Sequence, residues 1–130
     1  MKIFFDEDNG TGIPKALLLL RIPGTDVLYP GQSGRLRKGT SDPDWLRYVG
    51  AHRFLAFSQN RAILQNDAEL QTLVAEKVGA VFLTTGQERS YRVMRLLLNG
   101  WEWLEEIDAT QPRPFAYELT ITGRTRAVRL

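Results

Sequence analysis

The chain has 130 residues, of which 43% are hydrophobic and 25% charged, the balance of one globular domain rather than of a disordered or fibrous segment. Thirteen arginines and four lysines stand against 15 acids, a net charge of +2, which excludes a polycationic nucleic-acid tail while leaving room for local basic patches. With no cysteine and one histidine, His52, disulfides, thiolate metal sites, thiol nucleophiles and a histidine-rich zinc site are excluded, and a Ser-His-Asp triad is disfavoured.

No apolar run approaches the roughly 20 residues of a membrane helix. The opening run reaches Asp6 too early for a signal peptide, so a soluble cytoplasmic protein is expected. Residues 2–5 are Phe-rich and unbroken, which predicts a buried strand; it ends in Asp6-Glu7-Asp8. After the turn cluster Asn9-Gly10-Thr11-Gly12, a helix opens at Ile13-Pro14 and runs to Leu20, with Pro14 near the first position, where its missing N–H costs nothing. Residues 26–29 read as a second strand. Residues 30–39, glycine-rich and basic through Arg35, Arg37 and Lys38, read as a loop.

Ser41-Asp42-Pro43-Asp44 starts a helix that runs to Gly50: Ser41 or Asp42 can cap it, Pro43 fits the first turn and Asp44 complements the dipole. A third strand at 54–57 ends in Ser58-Gln59-Asn60. A helix capped near Asn66 or Asp67 carries Leu70, Leu73, Val74 and Val78 at helical spacing and closes at Gly79. A fourth strand at 80–83 ends in Thr84-Thr85-Gly86. Residues 90–98 are helical, Asn99-Gly100 stops or bends that helix, and residues 101–107 are open to continuing it. Trp101 and Trp103 flank Glu102 and so point to different faces. Beyond Pro112 and Pro114, the alternation of Phe115, Tyr117, Leu119 and Ile121, then Gly123 and residues 126–130, predicts a terminal hairpin.

Four strand–helix units followed by a hairpin predict an α/β fold. The expected architecture is three-layer α/β/α, with a mostly parallel central sheet and a C-terminal β-hairpin. One domain is expected over residues 1–130, with the α/β core in 1–110 and the hairpin in 111–130. In such sheets ligands sit beyond the carboxyl ends of the strands, and there the polar residues gather: Asp6 and Asp8, Asp42 and Asp44, Asn60. Clustered carboxylates repel, so a cation or protonation must offset the cost. Oxygen-only ligands suit Mg2+ or Mn2+, and such an ion can polarise a phosphoryl oxygen and activate water. The reaction class is metal-assisted phosphodiester hydrolysis. Each acid also has a structural reading, Asp6 as a turn residue and the Asp42/Asp44 pair as cap and dipole partner.

Arg89, Arg92 and Arg95 recur every three residues on one helix face and read either as a phosphate-binding stripe or as a solvated face with a Glu88–Arg92 pair. Arg35, Arg37 and Lys38 form a second basic cluster able to clamp a nucleic-acid backbone. Arg61, next to Asn60, is the first choice for a phosphate contact at the rim. Arg124, Arg126 and Arg129 in the hairpin discourage edge-to-edge pairing.

Ile3-Phe4-Phe5-Asp6-Glu7-Asp8, Asp42-Pro43-Asp44-Trp45-Leu46, Phe57-Ser58-Gln59-Asn60-Arg61-Ala62-Ile63 and Val81-Phe82-Leu83-Thr84-Thr85-Gly86, taken as a set in this order, resemble the PIN-like domains related to VapC-type toxins. The resemblance covers residues 2–86. It implies a compact α/β/α fold, Mg2+- or Mn2+-dependent ribonuclease activity, RNA as substrate, an antitoxin partner and a homodimer. Position by position, it implies Asp6 as the first-strand metal ligand, Asp8 as a second polar residue there, and one of Asp42 and Asp44 as the helix carboxylate. Asp44 is favoured because it lies farther into the helix, while Asp42 can be occupied in capping. The sequence departs from the pattern at Asn60, where an aspartate is usual, and Thr84-Thr85-Gly86 holds no fourth acid. These departures imply a weak metal site. They leave open a catalytically impaired module that binds RNA or a protein partner.

Overall fold

Strand β1 (Lys2–Phe5) is fully buried at Ile3, Phe4 and Phe5, and a strand buried on both faces belongs inside a sheet. The computed structural model, which describes residues 1–84 and 88–130, places it there. Around it lie β2 (Asp26–Leu28), β3 (Leu55–Ser58), β4 (Gly79–Leu83), β5 (Phe115–Leu119) and β6 (Thr125–Ala127), in the order β2-β1-β3-β4-β5-β6. All neighbours are parallel except the antiparallel β5–β6 pair. The expected three-layer α/β fold with a mostly parallel sheet and a C-terminal hairpin is therefore present. The Thr85-Gly86 part of the expected fourth strand end lies outside the described residues.

The register sorts side chains into two cores. Phe4, Ala56, Ala80 and Ala116 are cross-strand partners, so one face carries a row of alanines beside a phenylalanine. The small residues let helix α2 (Asp42–His52) and helix α3 (Asp67–Ala75) press on the sheet, with the Trp45 ring 4.9 Å from that of Phe4. The other face, through Phe5, Phe57, Val81 and Leu119, packs against α1 (Gly12–Leu20), α4 (Ser90–Asn99) and α5 (Trp101–Thr110). No helix among the described residues is long and apolar enough to cross a membrane.

Three features refine the sequence reading. Residues 101–110 form a separate helix, because Gly100 breaks the run. The hairpin is not an appendage: β5 pairs along its full length with β4. A short 3-10 helix (Arg61–Gln65) follows β3, nucleated by the Asn60 side chain, whose Oδ1 accepts from the Ala62 N–H at 3.2 Å. Local side chain to backbone bonds of this kind leave no periodic trace in sequence.

Helix α2 approaches the end of α3 at Gly50, where an added Cβ would stand 2.4 Å from the Glu76 carbonyl oxygen. Backbone cannot yield there as a flexible side chain would. Gly50→Ala is expected to destabilise the protein by about 1–3 kcal/mol through overpacking, read as a lowered midpoint in thermal or urea denaturation.

Candidate functional site

Phe5 pairs with Phe57, so the next residues, Asp6 and Ser58, emerge side by side at the carboxyl end of the sheet. Both are buried, Asp6 at 3% exposure. The Ser58 hydroxyl donates to Asp6 Oδ2, and Asn9 Nδ2 donates to Asp6 Oδ1 at 2.7 Å and to the Phe57 carbonyl at 3.1 Å. Gln59 in turn donates to Asn9 Oδ1 at 3.0 Å. Asn9, read from sequence as a turn residue, is thus the amide that orients Asp6.

From Ser58 the bonding continues. The Asn60 N–H donates to Ser58 Oγ at 2.9 Å, and Asn60 Nδ2 donates to Asp42 Oδ2 at 3.3 Å. Asp42 Oδ1 accepts from the Trp45 indole N–H at 2.8 Å. A continuous line therefore runs Asp6–Ser58–Asn60–Asp42 across three chain segments. The carboxylate that α2 brings to this line is Asp42, whereas Asp44 was favoured from sequence. The reason is the cap: Ser41 Oγ takes the Asp44 N–H, which frees Asp42 from capping and turns Asp44 outward to Arg47 at 3.1 Å.

The electrostatics follow from this placement. Burial first, then the charges of Asp8 and Asp42, push the Asp6 carboxyl up to about 7, against the pull of its hydrogen bonds from Ser58 and the Asp8 backbone. Asp8, itself exposed, is raised by desolvation and by Asp42 and Glu7. Glu69 on α3, which sequence reasoning did not single out, is raised by burial and by Asp42. Among the described residues Asp6, Asp8 and Asp42 make no salt bridge, while Asp26, Asp44, Asp108, Glu88 and Glu118 each pair with an arginine. Negative charge is left without an ion-pair partner at this edge.

All donors there are hard oxygens, which fits Mg2+ or Mn2+. Among the described residues no three His, Cys, Asp or Glu side chains are grouped tightly enough to hold an ion by themselves. A magnesium ion that keeps several waters needs only one or two carboxylates, and Asp6 with Asp42 can supply that number. Each of their oxygens has a lone pair beyond its existing hydrogen bond.

The arginines divide into committed and uncommitted. Arg35 is bidentate to Asp26 at 2.7 and 2.8 Å and so fixes the 30–39 loop rather than standing free as a clamp. Arg37 and Lys38 in that loop are exposed. Arg61 donates to Glu118 at 3.1 Å and to the Thr84 carbonyl at 3.3 Å. Glu118, in the same cross-strand row as Ser58 and Phe82, also accepts from Arg126. Nothing but the strand alternation, read with the register, marks Glu118 in the sequence. Arg92 pairs with Glu88 at 3.4 Å. Arg89 and Arg95 are exposed and make no ion pair among the described residues.

Two opposite pH responses follow. The Arg126 hydrogen bond, with the charges of Arg126 and Arg61, holds Glu118 below its usual value against the effect of burial. Its stabilisation is therefore full above the unfolded carboxylate pKa of about 4.3 and lost as pH falls through the lower folded value. The melting-temperature gap between wild type and Glu118→Gln should be widest at pH 7 and close below about pH 4. Asp6 has the reverse sign: its raised pKa favours the fold at low pH, and that advantage is lost as pH rises through about 7. In metal-free buffer Asp6→Asn should melt several degrees higher than wild type at pH 8 and show no such gain at pH 4.

The model of a family described as PIN like domain matches residues 1–85. That span contains β1 to β4 and the whole Asp6–Ser58–Asn60–Asp42 line. No curated protein and no solved structure matches the chain. With the matched span covering well over half of its length, the chain belongs to the PIN-like domain family.

Proposed function

We propose that this protein is a divalent-metal-dependent ribonuclease of the VapC type, hydrolysing phosphodiester bonds at the carboxyl edge of its sheet. The observation that supports this reading is the hydrogen-bonded line from Asp6 through Ser58 and Asn60 to Asp42. It draws two carboxylates from separate segments to one edge with no cation to neutralise them. Asp6 and Asp42 are the residues to hold Mg2+ or Mn2+, with exposed Asp8 beside them and Asp44 outside the set. A bound ion supplies Lewis-acid polarisation of a phosphoryl oxygen and a more acidic water.

The chain's own groups do the rest. Ser58 and Asn9 fix the rotamer of Asp6. Trp45 and Asn60 fix Asp42. Arg37, Lys38, Arg89, Arg92 and Arg95 supply cationic surface for the RNA backbone, and Arg61 stands at the rim with one guanidinium edge on Glu118.

A second reading is favoured by Asn60 in place of an acid and by the lack of a compact three-acid group among the described residues. In it the chain is an impaired PIN-like module that binds RNA, an antitoxin or a second copy of itself. The difference turns on charge, since one carboxylate at contact distance is worth on the order of a few kcal/mol to a cation at an effective dielectric near 20.

Calorimetric titration with Mn2+ and cleavage of a structured RNA test the proposal. Wild type should bind the ion and cleave. Asp6→Asn and Asp42→Asn should each weaken metal binding at least tenfold and abolish cleavage, while Asp44→Asn changes neither. Equal trace cleavage by wild type and Asp6→Asn would mark contamination and overturn the ribonuclease. In the impaired-module case, wild type binds RNA in a salt-sensitive, metal-independent way, and Asn60→Asp gains metal binding.

A further inference from the structure

On the opposite face of the sheet from Asp42, a cavity of about 530 Å3 lies between α4, the start of α5 and the β5–β6 turn. It belongs to the same sheet edge as Asp6. Its wall includes Arg92, in the first turns of the helix that follows β4, and the residues just beyond the carboxyl end of β5. Three strand spacings, about 14 Å, separate β5 from β1. Leu119, Ile121 and the indole of Trp103 give it an apolar lining, and the Trp103 ring is set T-shaped to that of Tyr117 with ring centroids 5.3 Å apart. Along the α4 side run Arg92, Arg95 and Asn99. None of the described lining residues is acidic.

The volume falls in the range of small-ligand pockets, whose apolar walls carry a few convergent polar groups. A flat apolar wall with an aromatic ring suits a nucleobase, because every base has a face that stacks. An amide offers both donor and acceptor to a base edge. Arginine at the mouth suits a phosphate, and Arg95 makes no ion pair among the described residues. We infer that this cavity is a nucleotide-binding subsite, in which a base stacks on Trp103 and its phosphate meets Arg95 and Arg92. Resting on the ribonuclease reading, the inference adds where a flanking nucleotide of the substrate strand is held. The chemistry it specifies is a nucleoside monophosphate unit, whether free or within a strand.

Trp103 provides the readout. Trp45 and Trp101 are buried at 1% and 8% exposure, so quenching by a stacked base reports Trp103. Adenosine 5′-monophosphate and a single-stranded RNA pentamer are titrated in EDTA, followed by tryptophan fluorescence and by calorimetry. Both should quench wild type. Tighter binding of the pentamer assigns the subsite to a strand, and equal binding assigns it to the free nucleotide. Arg95→Gln, an exposed change that leaves the core intact, should weaken binding about tenfold, the effect of one charged hydrogen bond. Trp103→Phe should lose the quench while calorimetry still records binding.

Asp6→Asn should bind as wild type does. Nucleotide binding by a chain that takes no metal and cleaves nothing upholds the subsite and retires the ribonuclease alone. The inference is overturned if neither nucleotide binds, if binding is unchanged in both Arg95→Gln and Arg92→Gln, or if octanoate displaces the monophosphate at equal concentration. That last result would show a pocket for any apolar anion.

Discussion

A carboxylate withdrawn from water with no cation beside it is the constraint around which this edge of the molecule is arranged. Asp6 is held by a hydroxyl and an amide rather than by a guanidinium, and hydrogen bonds of that kind orient a charge without neutralising it. The neighbouring chain segments conform to this. Ser58 must end β3, Asn9 must reach back to the Phe57 carbonyl, and Ser41 must cap α2 so that Asp42 is left to face the site. The other buried acids among the described residues are paired with arginine, Asp108 with Arg113 and Glu118 with Arg61 and Arg126. The contrast is local, and it is the physical reason to regard this edge as a functional one.

The layered fold was legible because its cause is periodic. Apolar runs of strand length alternate with helical spacing, and turn residues sit between them. The carboxyl edge was legible for the same reason, since once strands are parallel their ends coincide. What pattern could not supply was the choice between neighbours. Asp42 and Asp44 are equivalent in a sequence that offers both to the first turn, and the decision falls to one hydroxyl, that of Ser41. Asn9 and Glu118 escaped because their roles are made by residues some fifty positions away, Phe57 and Arg61. Arg35 sat in a stretch that looked like open surface, yet the acid it clasps lies at the start of β2.

The two faces of the sheet divide the work. The face bearing alanines admits α2 and α3 closely and so carries acids to the edge. The other face, with bulkier residues, packs against α4 and α5, and a hollow lies between them and the hairpin turn.

The first strand in the chain is also a central strand of the sheet, and this has a consequence for assembly during synthesis. Asp6 and Ser58 are 52 positions apart, so Ile3, Phe4 and Phe5 leave the ribosome well before β3 exists to cover one edge of β1. In that interval only the segment through α2, whose Trp45 packs on Phe4, can shield them. Closing so long a loop is slow compared with forming local helices, which makes the acidic edge one of the later features to take shape in a nascent molecule.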